Sequence, residues 1–219
     1  KIQGGCIGFT SPPYNVGGTS KIQSAHEAKR GSKYINNSDN MRLPDYTNLL
    51  QSTLKNCLSF CDGAAWNVQP LAGNKSALFR WVSSNEDIFN DLIIWDKGSA
   101  APPMAKSVLT SRYEWICVKK KNNKSRTIPL SSWRGTVSNV YSAPPQRNNE
   151  YAAHHNATFP VHVPSFVIAD LMNRCTAVVD CFMGTGTTMV AAHRLGRKSY
   201  GIEIDPRYCA VIIDRMKKL

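Results

Sequence analysis

A chain of 219 residues with 42% hydrophobic and 19% charged residues has the composition of one soluble globular domain with a substantial core. No apolar run approaches the roughly 20 residues of a membrane-spanning helix and no basic-then-apolar leader opens the chain, so an intracellular protein with no membrane partner is expected. Its 27 lysines and arginines against 15 acids give a net charge of +12, which favours a polyanionic partner because each phosphate neutralised by a cation releases counterions.

Residues 16–40 are rich in Gly, Ser and Asn and read as a mobile stretch, with Lys29, Arg30 and Lys33 as a small basic cluster. Leu43–Phe60 fits a helix, since Leu49, Leu50, Leu54 and Leu58 recur at helical spacing. Gly63–Val68 and residues 92–95 and 113–118 read as strands. Residues 119–156 are polar, basic and proline-containing, as expected of a long loop or small insertion; Lys119, Lys120, Lys121, Lys124, Arg126, Arg134 and Arg147 concentrate charge there. Residues 166–172 read as a helix, and Ala177–Asp180 as a buried parallel strand. A glycine turn follows at 184–186, then a helix over 187–195 ending near Gly196, and a strand over 199–204. Asp205 and Pro206 open a final helix, with the proline in its first turn. Alternating strands and helices predict an α/β sheet, and the closing unit of strand, glycine turn, helix, strand and acid is half of a Rossmann-like nucleoside fold.

Seven cysteines without a CxxC pair suggest neither zinc nor a disulfide framework. The adjacent His154 and His155 would face opposite ways in a strand, so no metal site is expected.

Two segments carry chemistry. In Phe182-Met183-Gly184-Thr185-Gly186 the glycines let backbone approach a ligand, and the following helix offers unpaired N–H groups. Thr187 and Thr188 stand where a Walker loop would need lysine, and the third glycine of a dinucleotide fingerprint is missing. Glu203, at the end of the next strand, suits ribose hydroxyls. In Ser11-Pro12-Pro13-Tyr14 two prolines remove two backbone donors and hold the segment extended, so its carbonyls can accept from a ligand amine. Tyr14 offers a ring on which a base can stack. Alone, the first segment reads equally as a tight strand-to-helix turn and the second as a proline-rich surface turn.

Together, and in this order, they resemble the DNA amino-methyltransferases in which (S/D/N)PPY precedes FxGxG. The resemblance spans nearly the whole chain. It implies a Rossmann-like S-adenosylmethionine-dependent fold, a mostly parallel central sheet with helices on both faces, in a single domain over residues 1–219. Ser11, Pro12, Pro13 and Tyr14 become the implied catalytic residues. Asp180, Phe182, Gly184, Gly186, Thr187, Glu203 and Phe159 become the implied cofactor site, Phe159 lying in a segment over 155–160 that resembles one folding over the cofactor's methionine end. The strand motifs around Glu114 and around Trp95, Asp96 and Lys97 resemble the catalytic half. Gly5 stands where the family usually has an acid contacting the cofactor adenine, and this segment lies closer to SPPY than the family's usual spacing.

The implied reaction is direct methyl transfer to an exocyclic amino group of a flipped-out DNA base, with the Ser11 side chain and Pro12 carbonyl accepting hydrogen bonds from the amine. A serine in the first motif position resembles the cytosine-N4 enzymes; Asp or Asn is commoner in the adenine-N6 enzymes. Lys119, Lys120, Lys121 and Arg134 are the expected DNA phosphate contacts, and Trp133 a groove probe or packed residue. Because the basic insertion is short, sequence recognition is expected to be loose or supplied by a further domain or subunit. Methylation of RNA or protein, and a non-catalytic nucleic-acid-binding subunit, are the competing readings.

Overall fold

The computed structural model describes residues 5–15, 40–100, 106–121, 125–145 and 159–219. Expectations for residues 1–4 and 16–39, including Lys29, Arg30 and Lys33, for Lys124 and Arg147, and for residues 154–158 lie outside the described residues.

Among the described residues seven strands form one sheet: β1 (Cys6–Thr10), β2 (Gly63–Val68), β3 (Phe89–Asp96), β4 (Tyr113–Lys120), β5 (Val140–Ser142), β6 (Ala177–Asp180) and β7 (Lys198–Gly201). Their order is β5-β3-β4-β2-β1-β6-β7. β1 pairs in parallel with β2 and β6, β6 with β7, and β3 with β5. β4 runs antiparallel to both its neighbours, β2 and β3. Six strands therefore end at one carboxyl edge, where β4 begins.

The helices are α1 (Leu43–Phe60), α2 (Lys75–Ser83), α3 (one α turn, His162–Ser165, continuing as π-helical Phe166–Leu171), α4 (Thr187–Arg194) and α5 (Pro206–Lys217). Proline stands in the first turn of α1 and of α5, where its missing N–H costs nothing. Asp205 caps α5 by accepting from the Arg207 backbone N–H at 2.9 Å. Met172 N–H donates to the Val167 carbonyl five residues back, at 2.8 Å, closing the π turn of α3.

Side-chain alternation sorts the core into two layers. Ile7, Phe9, Ala65, Ile93, Trp95, Ile116 and Val118 face α3 and α4. Cys6, Ala64, Trp66, Val68 and Cys117 face α1 and α2. Because β1 and β2 are covered on both sides, they are buried along their whole length.

The structure extends β3 and β4 beyond their expected ends and shortens β7, so Glu203 follows the strand rather than ending it. β1, α2 and β5 have no counterpart among the elements expected from the sequence. Residues 125–139 form the expected loop, which leads into β5 and packs on the core: Ile128, Leu130, Trp133 and Val137, with Tyr141 of β5, lie on the α3 layer. The Trp133 indole donates to the Leu171 carbonyl at 2.7 Å, so this tryptophan is packed.

Candidate functional site

Parallel pairing brings the ends of β1 and β6 side by side, and a buried carboxylate joins them. Asp180, the last residue of β6, accepts from the Thr10 hydroxyl at 2.5 Å, the Thr188 hydroxyl at 2.5 Å and the Phe182 backbone N–H at 3.0 Å. Burial raises its pKa, and those three donors oppose the rise. Thr10 directly precedes Ser11, so one hydrogen bond couples the proline segment to the glycine turn across 170 residues of chain.

The proline segment is fixed from below. The Tyr46 hydroxyl of α1 donates to the Pro13 carbonyl at 2.7 Å. The Asn74 amide, at the start of α2, donates to the Tyr14 carbonyl at 2.5 Å. Asn15 turns the chain with φ +52° and exchanges two hydrogen bonds with the Met41 backbone. Among the described residues none donates to the Pro12 carbonyl, whereas the two carbonyls that follow it are engaged.

Above these carbonyls lies a polar cluster. The Tyr14 hydroxyl donates to Glu114 Oε2 at 2.7 Å and accepts from Ser11 Oγ at 3.3 Å and Asn67 Nδ2 at 3.1 Å. Asn67 Nδ2 also reaches Glu114 Oε2 at 2.7 Å, and Lys97 Nζ pairs with Glu114 Oε1 at 3.3 Å.

On the neighbouring strand end, Gly184 and Gly186 take φ +54° and +80°, which side chains rarely adopt. A Cβ on Gly186 would stand 3.1 Å from Ile212 Cγ1. Glu203 spans the turn: Oε2 accepts from Gly184 N–H at 2.7 Å and Oε1 from Asp205 N–H at 2.9 Å. Phe182 packs edge-on against Trp66 with centroids 6.3 Å apart. Phe159 packs edge-on against Phe9 of β1 at 5.7 Å.

The geometry thus brings together Ser11, Pro12, Pro13, Tyr14, Asp180, Phe182, Gly184, Gly186, Glu203 and Phe159. It reassigns two of the expected cofactor contacts. Asp180 is enclosed and spends its oxygens on bracing. Thr187 is buried, and its hydroxyl accepts from Arg215 Nη1 of α5 at 3.2 Å. Gly5 is also relocated: it precedes β1 at the foot of the sheet, a Cβ there would meet Leu130 at 2.7 Å, and its carbonyl takes the Thr176 and Ala177 N–H groups. An acid at this position would not reach the glycine turn.

The expected DNA contacts lie away from the proline segment. The antiparallel course of β4 sets Lys119 and Lys120 opposite Ala64 and Gly63, at the foot of β2 and away from Ser11. Lys119 is 0% exposed, with Nζ 4.5 Å from the Trp81 ring centroid and 4.8 Å from that of Phe89. Lys120 is buried and donates to the Ser125 and Thr127 carbonyls. Lys121 is exposed but at the same foot, on the Ser59 carbonyl at 3.2 Å. Arg134 is exposed beside Trp133, which is tied to the end of α3. By contrast, exposed Arg42, Lys106 and Arg112 stand on loops at the carboxyl edge. Tyr46, Asn67 and Asn74 had no assigned role in the sequence, and Glu114 and Lys97 were marked only as parts of strand motifs. The available signal was polarity within apolar runs, as in Ala65-Trp66-Asn67-Val68 and Tyr113-Glu114-Trp115-Ile116.

No helix among the described residues is long and apolar enough to cross a membrane. A family model described as DNA methylase matches residues 7–214. The chain is 37% identical over 86 residues to the type II methyltransferase M.BglI of Bacillus subtilis, a match covering 39% of this chain and 23% of that protein. It is 27% identical over 139 residues to M.Cfr9I of Citrobacter freundii, covering 57% and 43%. The chain thus spans less than half the length of these two relatives. In fold it is similar to the PvuII DNA methyltransferase (cytosine-N4-specific), with TM-score 0.68, 17% identity, and 97% of this chain and 79% of that one covered. A complex of M1.HpyAVI with SAM aligns with TM-score 0.62 and 17% identity, covering 97% and 88%.

Proposed function

The chain belongs to the DNA methylase family, and we propose that it transfers a methyl group from S-adenosylmethionine to the exocyclic N4 of cytosine in DNA. The observation that carries this reading is the hydrogen bond from Thr10 to Asp180, which sets an amine-accepting segment beside a nucleoside-type glycine turn. The turn fits the cofactor. Its glycines take the left-handed backbone that a tight turn before a helix requires, and Glu203 stands beside it with carboxylate lone pairs for ribose hydroxyls. Phe159, seated edge-on over the buried Phe9, lies on the β1 side. Gly184, Gly186, Phe182, Phe159 and Glu203 would hold the group, with Asp180 and Thr187 positioning the turn from behind. When bound, the cofactor supplies an electrophilic methyl on a sulfonium.

The chain's part is to present the amine. A cytosine amino nitrogen is a poor nucleophile because its lone pair is delocalised into the ring. Hydrogen bonds accepted by Ser11 Oγ and the Pro12 carbonyl draw that nitrogen toward a tetrahedral shape and aim its lone pair. Tyr46 and Asn74 engage the next two carbonyls, so Pro12 supplies the backbone acceptor. Stacking on Tyr14 returns about 1–3 kcal/mol toward the few kcal/mol needed to extrude the base. Arg42, Lys106 and Arg112, at the rim, replace the lysine run as the phosphate contacts.

Ser11, a neutral hydroxyl, favours cytosine; adenine N6 is the alternative acceptor in the same amine-accepting geometry. Methylation of mixed-sequence DNA with labelled cofactor, digestion to nucleosides and mass identification test the reading. N4-methylcytosine is expected. N6-methyladenine would reassign the base, and no methyl on any DNA would overturn the function.

A further inference from the structure

Glu114, Asn67 and Lys97 form a buried polar group on a face that elsewhere is apolar. Asn67 lies two residues beyond Ala65 on β2, and Glu114 two before Ile116 on β4, so both point into the layer that Ile116, Trp95 and Phe9 build. The side chains of Lys97 and Glu114 are 13% and 10% exposed. A buried ion pair contributes little to stability compared with apolar residues of the same size, because desolvation offsets the attraction. Its presence beside Tyr14 therefore points to another role.

Hydrogen-bond polarity supplies that role. A carboxylate paired with lysine only accepts. Tyr14 must then spend its single proton on Glu114 Oε2, at 2.7 Å. With that proton committed, the phenol oxygen is left to accept, from Asn67 Nδ2 at 3.1 Å and from Ser11 Oγ at 3.3 Å. Ser11 also has a single proton, and the phenol takes it. Its lone pairs consequently face away from Tyr14. Methyl transfer needs that orientation: a serine donating to the substrate amine would occupy the lone pair that must attack, while a serine accepting from the amine leaves it exposed. The 3.3 Å Ser11 contact is the longest of the three, and such contacts tighten when substrate is bound.

The geometry points to Glu114 as a positioning residue that, through the Tyr14 hydroxyl, fixes Ser11 as a hydrogen-bond acceptor for the substrate amine. This rests on the methyl-transfer reading above and deepens it. Asn67 spends its amide donor on the cluster while its Oδ1 has no partner among the described residues, which marks the carboxylate as the group that dictates the arrangement.

The test compares the parent with Tyr14→Phe, Glu114→Gln and Ser11→Ala, and with each of the first two combined with Ser11→Ala. Steady-state methylation of duplex DNA is measured, together with cofactor binding by calorimetry. Tyr14→Phe keeps the stacking ring and removes only the relay oxygen; Glu114→Gln places an amide donor where the cluster needs an acceptor. Each should lower kcat about tenfold, the worth of one polar interaction, with KM for DNA and cofactor affinity within about twofold of the parent. In the Ser11→Ala background neither should lower kcat further, because the group they orient is gone. A merely structural role predicts losses that multiply, or that fall on KM and cofactor binding, and either result overturns the inference. If Glu114→Gln does not fold, Tyr14→Phe carries the same comparison. An active parent with parent-like variants defeats this inference alone, whereas a parent that methylates no DNA defeats the functional reading with it.

Discussion

Lys119 offers a quantitative check on the reassignment of the lysine run. Its ammonium lies between the rings of Trp81 and Phe89, is 0% exposed and has no hydrogen-bond partner among the described residues. Burial pushes its pKa down from 10.5 to about 8. At about 1.4 kcal/mol per pH unit that fall corresponds to roughly 3 kcal/mol of destabilisation at neutral pH, of which the two aromatic faces return part, about 0.5–2 kcal/mol each. Methionine keeps the unbranched stem and removes the charge. Lys119→Met should therefore stabilise the protein at pH 7, by at most about 2 kcal/mol. The sign of the pH dependence follows from the lowered folded-state pKa. Between pH 8 and 10.5 the unfolded chain holds a proton that the folded chain has released, so the parent gains stability with rising pH and its deficit closes near pH 10.5. Urea denaturation at pH 7, 9 and 10.5 measures this, and DNA affinity at two salt concentrations should match the parent. A variant less stable than the parent at pH 7, a gap that does not narrow, or a tenfold loss of DNA affinity would each put the ammonium outside the core and refute the reasoning.

Gly186→Ala should cost about 1–2 kcal/mol, from left-handed backbone and the approach to Ile212, and should weaken cofactor binding by calorimetry; parent-like affinity and melting temperature would count against the turn as the cofactor cradle. Thr10→Val leaves the buried Asp180 one donor short, at a cost of about 1–3 kcal/mol. Because burial already raises the Asp180 pKa, that cost should shrink in acid, where a protonated carboxyl needs fewer donors; a loss independent of pH would contradict the bracing role. The Arg112 guanidinium beside Asp96 holds its carboxyl at about 2. This lowered value makes the contribution present above pH 3.8 and lost as pH falls toward 2, and Arg112→Ala should flatten that acid limb in thermal denaturation.

What could be read in the sequence was whatever one segment specifies by itself. Leu50, Leu54 and Leu58 place α1 on one face, and Gly184 and Gly186 declare a strand-to-helix turn. α2 escaped because Phe79, 59% exposed, interrupts the apolar stripe of a nine-residue helix. β5 is three residues long and gains its identity only from pairing with Ile94, Trp95 and Asp96. The basic stretch differs from expectation for a related reason. Nothing within residues 113–121 states that β4 runs against its neighbours, yet that direction alone sends Lys119, Lys120 and Lys121 to the foot of the sheet. The polar partners of the site, Tyr46, Asn67, Asn74 and Glu114, come from four different elements, and their convergence is a property of the sheet order.

That convergence has a consequence for how the two halves of the site hold their separation. A donor methyl and an acceptor nitrogen must meet with sub-ångström tolerance, and loops fixed only by their own turns would not supply it. Here the segment that would accept the amine and the turn that would cradle the cofactor leave adjacent parallel strands, and both strand ends are tied to the same carboxylate. Asp180 holds Thr10 on one side and the Phe182 N–H and Thr188 on the other. Its burial makes an unfilled hydrogen-bond position costly, so displacement of either segment is resisted by the penalty of an underpaired carboxylate. On the proposed reading, the residue expected as a ligand contact controls geometry from behind the site, and contact with ligands would fall to backbone groups, Glu203, Ser11 and the ring of Tyr14.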